Sequence, residues 1–141
     1  MKRILIVNAN YYDDITSKLV KKAKNFLKEK NIKVSLIKVP GIFEIPIAVR
    51  KNINKFDGFV AIGCVIKGKT PHFDLICSSS FEMILNISIK FNKPIGNGII
   101  TALNKKQALE RCGIIKSTKP NKGLEAARAV VSILKNGPKQ I

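Results

Sequence analysis

His72 is the only histidine in the chain and the residue best suited to move protons. An imidazole titrates near neutral pH and both donates and accepts protons, as general acid–base catalysis requires. A lone histidine is most often structural or merely exposed. This one follows a Gly-Lys-Thr turn at residues 68–70 and precedes Asp74, whose carboxylate is a candidate for orienting the ring. The setting therefore favours a catalytic role.

Aromatic and acidic residues elsewhere in the chain are candidates for binding a substrate. Glu44 stands between Phe43 and Ile45, and a carboxylate in an apolar segment must be solvated, paired or used. An acid at the start of a helix and a ligand contact explain it equally well. Tyr11 and Phe43 could flank a flat ring, and packing in the core is an equally good explanation for both.

Gly68-Lys69-Thr70 superficially resembles part of a phosphate-binding loop. We interpret it as a poor match to the nucleotide-binding pattern as a whole. A flexible turn with free N–H groups before a helix can still hold a small phosphate. An ordinary strand-to-helix turn is the alternative.

The formal net charge of +17 raises the question of a nucleic-acid partner. The lysines are spread along the chain, and no helix-turn-helix, RNA-stacking or zinc-knuckle pattern accompanies them. A solvated basic surface without a nucleic-acid partner is therefore our interpretation, with nucleic-acid binding as the alternative.

Apolar periodicity predicts an alternating order of strands and helices. Strands are predicted at 3–9, 33–39, 58–66 and 94–101, and helices at 14–30, 46–54, 74–91, 104–112 and 121–136. This order predicts a single α/β domain over residues 1–141, with a parallel sheet and helices on both faces. Ligands bind at the carboxyl ends of such strands. We expect residues 10–13, 40–44 and 68–74 there, and 96–98 at the end of the fourth strand.

The three cysteines, Cys64, Cys77 and Cys112, are odd in number and have no paired metal spacing. Free thiols, no metal and a reducing cytoplasm are the plain interpretation. We find no signal-peptide core and no apolar run long enough to span a membrane.

Four motifs in register resemble those of the lumazine synthase family of riboflavin biosynthesis. The segment 39–46 (VPGIFEIP) is similar to the family's VPGAFEIP, and 62–74 (IGCVIKGKTPHFD) to GxVIRGxTxHxD. Residues 107–113 (QALERCG) and 121–123 (NKG) resemble QAxxRxG and NKG. The likeness extends from about residue 4 to residue 135.

The resemblance implies a three-layer sandwich around a four-stranded parallel sheet of flavodoxin-like order, assembled into pentamers with active sites between neighbours. The implied reaction joins 5-amino-6-(D-ribitylamino)uracil to 3,4-dihydroxy-2-butanone 4-phosphate. It yields 6,7-dimethyl-8-ribityllumazine, phosphate and water. No cofactor is implied, because the ketone is itself the electrophile and phosphate is the leaving group.

The resemblance also implies roles for individual residues. His72 would transfer protons, Tyr11 would stack on the pyrimidine, and the strand end would contact the heterocycle. The full set of implied substrate-binding residues is Tyr11, Ile42, Phe43, Glu44, Val65, Ile66, Lys69, Thr70, Asn97, Arg111 and Lys122. Phe43 and Glu44 would hold the ribityl chain. Lys69, Thr70, Arg111 and Lys122 would hold phosphate, with Arg111 coming from the adjacent subunit.

Three departures from the family pattern are visible. Residues 10–12 are Asn-Tyr-Tyr where the family usually has Arg-Phe-Asn, and Asn97 replaces a phenylalanine that many members carry. Residues 114–120 form a longer turn than the usual one, which favours a free homopentamer over a sixty-subunit shell. The nearest rival is a pentameric riboflavin synthase, against which Thr70-Pro71-His72 and Arg111 argue, because that reaction has no phosphate to hold.

Overall fold

Four parallel strands form one sheet in the computed structural model, which describes residues 1–141. The strands are β1 (Arg3–Ala9), β2 (Lys33–Val39), β3 (Gly58–Ile66) and β4 (Ile95–Ala102), in the order β2-β1-β3-β4. The register pairs Arg3 with Lys33, Ile4 with Gly58 and Phe59 with Ile95. All four carboxyl ends therefore lie at the same edge of the sheet.

Five helices cross the two faces of the sheet. They are α1 (Asp13–Glu29), α2 (Ile45–Lys51), α3 (His72–Phe91), α4 (Lys105–Cys112) and α5 (Lys122–Lys135), with a 3₁₀ turn at Ile42–Glu44 before α2. Alternate strand residues supply two separate cores: Ile4 and Ile6 pack with α1, α4 and α5, whereas Leu5 and Val7 pack with α2 and α3. The predicted α/β sandwich is confirmed. None of the helices combines the length and the apolar character needed to cross a membrane.

The element boundaries differ from the predicted ones by at most three residues. Helix α2 ends at Lys51 rather than at residue 54, because the Asn52 side chain donates to the carbonyl of Ala48 (2.8 Å) and competes with the helical hydrogen bonds. Helix α3 begins at His72, two residues before its predicted start. The first turn of α3 therefore contains both His72 and Asp74.

Helix α4 is capped at both ends. The Asn104 side chain accepts from the N–H of Gln107 (2.9 Å), and the Gln107 side chain accepts from the N–H of Leu103 (2.8 Å). Gly113 ends the helix with a positive φ of 85°, a conformation that glycine adopts without strain.

Gly123 lets α5 lie directly against α1. A Cβ atom at this position would overlap the backbone carbonyl of Leu19, well inside van der Waals contact. Asn121 caps the same end of α5, since its side chain accepts from the N–H groups of Gly123 (2.9 Å) and Leu124 (3.1 Å). The Asn-Lys-Gly segment thus fixes where α5 starts and how closely it approaches α1.

We expect Gly123→Ala to lower the free energy of unfolding by about 1–3 kcal/mol through overpacking. Alanine is the better helix former by up to about 1 kcal/mol, so a net loss requires the clash to dominate. Gly137→Ala is the control, because a Cβ there has no atom within 4 Å. Urea unfolding of both variants measures the difference, and a Gly123→Ala protein at least as stable as the wild type would contradict the packing argument.

Candidate active site

One cavity opens at the carboxyl edge of the sheet and has a volume of about 390 Å³. It is lined by seven of the twelve predicted site residues, namely Tyr11, Ile42, Phe43, Glu44, Val65, Ile66 and His72. Five further residues complete the lining: Ala9, Tyr12, Gly41, Cys64 and Ile76. The volume lies within the range of small-molecule sites, roughly 300–1,000 Å³. Segments distant in sequence therefore meet at the edge where ligands of parallel sheets bind.

The 3₁₀ turn after β2 presents Phe43 and Glu44 to this cavity. Phe43 is 67% exposed, an unusual state for a phenylalanine. Glu44 has no hydrogen bond or ion pair within the chain, and its Oε1 lies 3.4 Å from where a Cβ on Gly41 would be. A half-buried carboxylate without a partner is available to accept hydrogen bonds from hydroxyl groups of a ligand.

His72 stands at the first position of α3, on the rim of the cavity. Its backbone N–H donates to the hydroxyl of Thr70 at 3.4 Å, and its imidazole makes no hydrogen bond within the chain. The expectation that the Asp74 carboxylate orients the ring is therefore wrong for the isolated chain. Both ring nitrogens remain available to a ligand.

The turn between β3 and α3 contains Lys69 and Thr70, which do not line the cavity. Contrary to the interpretation from sequence, residues 63–70 do have the full spacing of the GxxxxGK[ST] pattern. A nucleotide loop nevertheless does not form, because Gly63 and the three residues after it belong to β3. What the turn does offer is the N-terminus of α3, whose first N–H groups lack helical acceptors and favour an anion.

Arg111 and Lys122 lie on the other side of the sheet, with α4 and α5. Asn121 donates to the carbonyl of Cys112 (3.1 Å) and so joins the end of α4 to the start of α5. Arg111 donates through Nη1 to the carbonyl of Gln107 (3.1 Å), and Lys122 pairs with Glu125 at 3.6 Å. Two basic residues therefore lie at adjacent helix ends, and neither lines the cavity of its own chain.

Asn97 is not at the end of the fourth strand, and the expectation that placed residues 96–98 there is wrong. Asn97 pairs with Ala61 near the amino end of β4, about 16 Å from Ala102 at about 3.3 Å per residue. Its Oδ1 accepts from the N–H of Ile99 (3.1 Å), and it borders a separate cavity with Phe81. Within one chain it does not contact the cavity that contains His72.

Tyr12 and Cys64 line the cavity although neither was predicted as a site residue. Burial and the neighbouring Tyr11 raise the pKa of Tyr12, and burial raises the pKa of Cys64 to about 12. The signal for Tyr12 was its place beside Tyr11 after β1, which sequence alone could not separate from core packing. No group of three or more His, Cys, Asp or Glu side chains is close enough together to hold a metal ion.

A groove of equal volume lies at the amino end of the sheet, between α3 and α5. Its only charged lining residue is Lys93, whose ammonium donates to the backbone carbonyl of Ile53. Because it offers neither a free acid–base group nor an exposed aromatic ring, it is the weaker candidate for catalysis.

The family model for 6,7-dimethyl-8-ribityllumazine synthase matches residues 1–136. The chain belongs to the lumazine synthase family. A 6,7-dimethyl-8-ribityllumazine synthase of Campylobacter curvus is 40% identical over 138 residues, which is 94% of this chain and 86% of the relative. Enzymes of the same name from Campylobacter jejuni subsp. jejuni and Afipia carboxidovorans are 42% and 37% identical over 94% of this chain, and 87% and 84% of theirs.

Membership of the lumazine synthase family confirms the resemblance that the four motifs carried. Two of the motifs, around Phe43–Glu44 and around His72, line the cavity at the sheet edge. The other two, around Arg111 and Lys122, meet on the opposite side of the sheet. The family motifs therefore form two separate groups within one chain.

We expect the Cys64 thiol to be nearly inert in the folded protein. A pKa raised from 9.0 to about 12 lowers its thiolate population at pH 8.5 by roughly 10³-fold, and the thiolate is the reactive form. Cys77, which is less buried, is the internal comparison. Iodoacetamide labelling followed by peptide mass spectrometry should find Cys77 modified well before Cys64, with reaction at Cys64 rising only towards strongly alkaline pH. Equal rates at both cysteines would contradict this.

Proposed function

We propose that the protein condenses 5-amino-6-(D-ribitylamino)uracil with 3,4-dihydroxy-2-butanone 4-phosphate to give 6,7-dimethyl-8-ribityllumazine, phosphate and water. The proposal treats residues 1–141 as one catalytic domain of a transferase. The observation that carries it is the convergence of Tyr11, Glu44 and His72 on one cavity in a chain of this family. An aromatic face, an unpaired carboxylate and an imidazole match a flat heterocycle, a polyhydroxylated chain and a reaction that moves protons.

The residues that line the cavity at the sheet edge bind the pyrimidine substrate. The exposed ring of Tyr11 stacks on the heterocycle, whose edge meets the end of β3 at Val65 and Ile66. The ribityl chain extends over the 3₁₀ turn, where Ile42 and Phe43 supply contact area. Glu44 accepts hydrogen bonds from the ribityl hydroxyls.

The phosphate of the second substrate binds at the N-terminus of α3. Lys69 and Thr70 flank this helix end, where N–H groups and the helix dipole favour an anion. His72 stands beside them and carries protons between the amine, the carbonyl oxygen and the leaving phosphate. No cofactor is needed, because the carbonyl carbon is already electrophilic and phosphate leaves as a stable anion. The protein then contributes orientation and proton transfer.

We further propose that the chain works as a homopentamer whose active sites lie between neighbours. One side of the molecule carries large apolar residues that are between 48% and 72% exposed: Phe43, Ile47, Leu75, Met83, Leu85 and Ile89. Apolar surface of this extent on the 3₁₀ turn, α2 and α3 is typical of a subunit interface. The neighbour would supply Arg111 and Lys122 to the phosphate, and Asn97 to the far side of the heterocycle.

We also propose that the protein is located in the cytoplasm. The three free cysteines support this location, since free thiols persist in a reducing compartment.

Incubation of the purified protein with both substrates should give lumazine fluorescence and one released phosphate per turnover. His72→Asn, which keeps a polar side chain but cannot transfer protons at neutral pH, should lower kcat by up to roughly 10²-fold, because positioning survives. A riboflavin synthase would instead consume lumazine alone and release no phosphate. Wild-type turnover with an unchanged pH profile in His72→Asn would refute the proton-transfer role.

Arg111 is expected to act on the site of a neighbouring subunit. Arg111→Ala and His72→Asn should each have low activity alone, and should recover activity when dissociated and reassembled together, because some interfaces then carry both intact residues. Each variant reassembled with itself is the control. Sedimentation should find particles of five 15.6 kDa chains in every sample. A mixture no more active than the mean of its parents would place the arginine outside the shared site.

A further inference from the structure

Two tyrosines stand side by side where β1 meets α1. Their ring centroids are 5.0 Å apart and their planes are at 83°, an edge-to-face contact. Both rings line the cavity at the sheet edge. Their surroundings differ, because Tyr11 is 77% exposed whereas Tyr12 is half-buried and packs against the core formed by α1, α4 and α5.

Tyr12 is fixed at both its backbone and its ring. Its carbonyl accepts from the N–H groups of Ile15 (3.0 Å) and Thr16 (2.9 Å), the first hydrogen bonds of α1. Its ring is wedged against the apolar core, next to Cys64. A tyrosine hydroxyl, with an ordinary pKa of about 10, keeps its proton at neutral pH, and burial raises the pKa of Tyr12 further. Tyr12 thus lines the cavity with an uncharged ring that packs against the core.

Tyr11 has no comparable support. Its hydroxyl makes no hydrogen bond within the chain, and its one aromatic contact is the edge-to-face pair with Tyr12. An exposed side chain with two rotatable bonds samples several orientations unless a neighbour selects one. Edge-to-face pairs favour one mutual orientation over a freely turning ring. The contact with Tyr12 is therefore what holds the ring of Tyr11 in one orientation.

We infer that Tyr12 is a positioning residue for binding of the heterocyclic substrate: it holds the ring of Tyr11 with its face presented to the cavity before the substrate arrives. The inference deepens the proposed function and rests on it for the identity of the ligand. A ring held in its binding orientation loses less entropy when the ligand stacks on it.

The first experiment measures ring mobility without any substrate. The chain contains no tryptophan, so Tyr11→Trp introduces a single fluorophore at the position in question. Time-resolved anisotropy is then compared in three proteins: Tyr11→Trp alone, with Tyr12→Phe, and with Tyr12→Leu. We expect a larger sub-nanosecond loss of anisotropy only with Tyr12→Leu, since phenylalanine keeps the aromatic ring of the pair. Equal mobility in all three proteins would overturn the inference.

The second experiment separates positioning from direct contact with the substrate. Tyr12→Leu should raise the KM of the pyrimidine about 2- to 10-fold, the range given by the strength of an edge-to-face pair, with a smaller change in kcat. Tyr12→Phe should restore most of this loss. In a Tyr11→Ala background the same substitution should raise KM no further, because the residue acts through Tyr11. An equal increase in both backgrounds, or a Tyr12→Phe protein as poor as Tyr12→Leu, would show direct contact and overturn the inference.

Unfolding curves of the Tyr12 variants show whether each one is folded, and they serve as the control for both experiments. If Tyr12→Leu fails to fold, Tyr12→Met replaces it, because the flexible methionine side chain fills irregular core space without presenting an aromatic edge. A wild-type protein that forms no lumazine would refute the proposed function, while the anisotropy measurement would still decide whether Tyr12 holds Tyr11.

Discussion

The structure depends on parallel pairing of strands that are buried on both faces. Each connection between parallel strands must cross a face of the sheet, so every strand delivers its following turn to the same edge. The ends of β1 and β3 and the turn after β2 therefore meet around one cavity, although they are some thirty residues apart in sequence. The positions of Tyr11, Phe43 and His72 are consequences of this topology rather than of contacts among these residues.

The two sides of the sandwich have opposite surface character. The outer faces of α2 and α3 expose large apolar side chains, whereas α1 is covered with lysines. With nine acidic residues against 26 basic ones, the chain has a single ion pair, Lys122 with Glu125. Some cations instead lie over aromatic rings, as Lys30 and Arg128 do over Phe26. The apolar cores on the two faces of the sheet, rather than ion pairs, must therefore supply most of the stability of the chain.

The helices and strands could be predicted because they follow local patterns. The residues of the cavity could be placed at one edge of the sheet because they follow the ends of parallel strands. The strand 3–9 and the capped helix that ends at Gly113 were both readable from periodicity and cap residues. Asn97 was placed at the wrong end of its strand, because glycines on both sides suggested a terminal turn where the structure instead uses them for close packing against α5. The role of Tyr12 depends on the mutual angle of two rings, which no one-dimensional pattern encodes.

The pairing of residues far apart in sequence also sets the order in which the strands can pair during synthesis. All of β1 can pair with β2 once residues 33–39 are made, but its other side must wait for β3, which begins at Gly58, and β3 in turn waits for β4, which begins at Ile95. Pairings of such sequence separation form slowly, and β1 has only one neighbouring strand until β3 exists. A chain emerging from the ribosome therefore carries an unpaired apolar strand edge through much of its synthesis, a state prone to wrong association. The walls of the cavity come from residues 9 to 76, so the cavity takes shape only after about half the chain has been made.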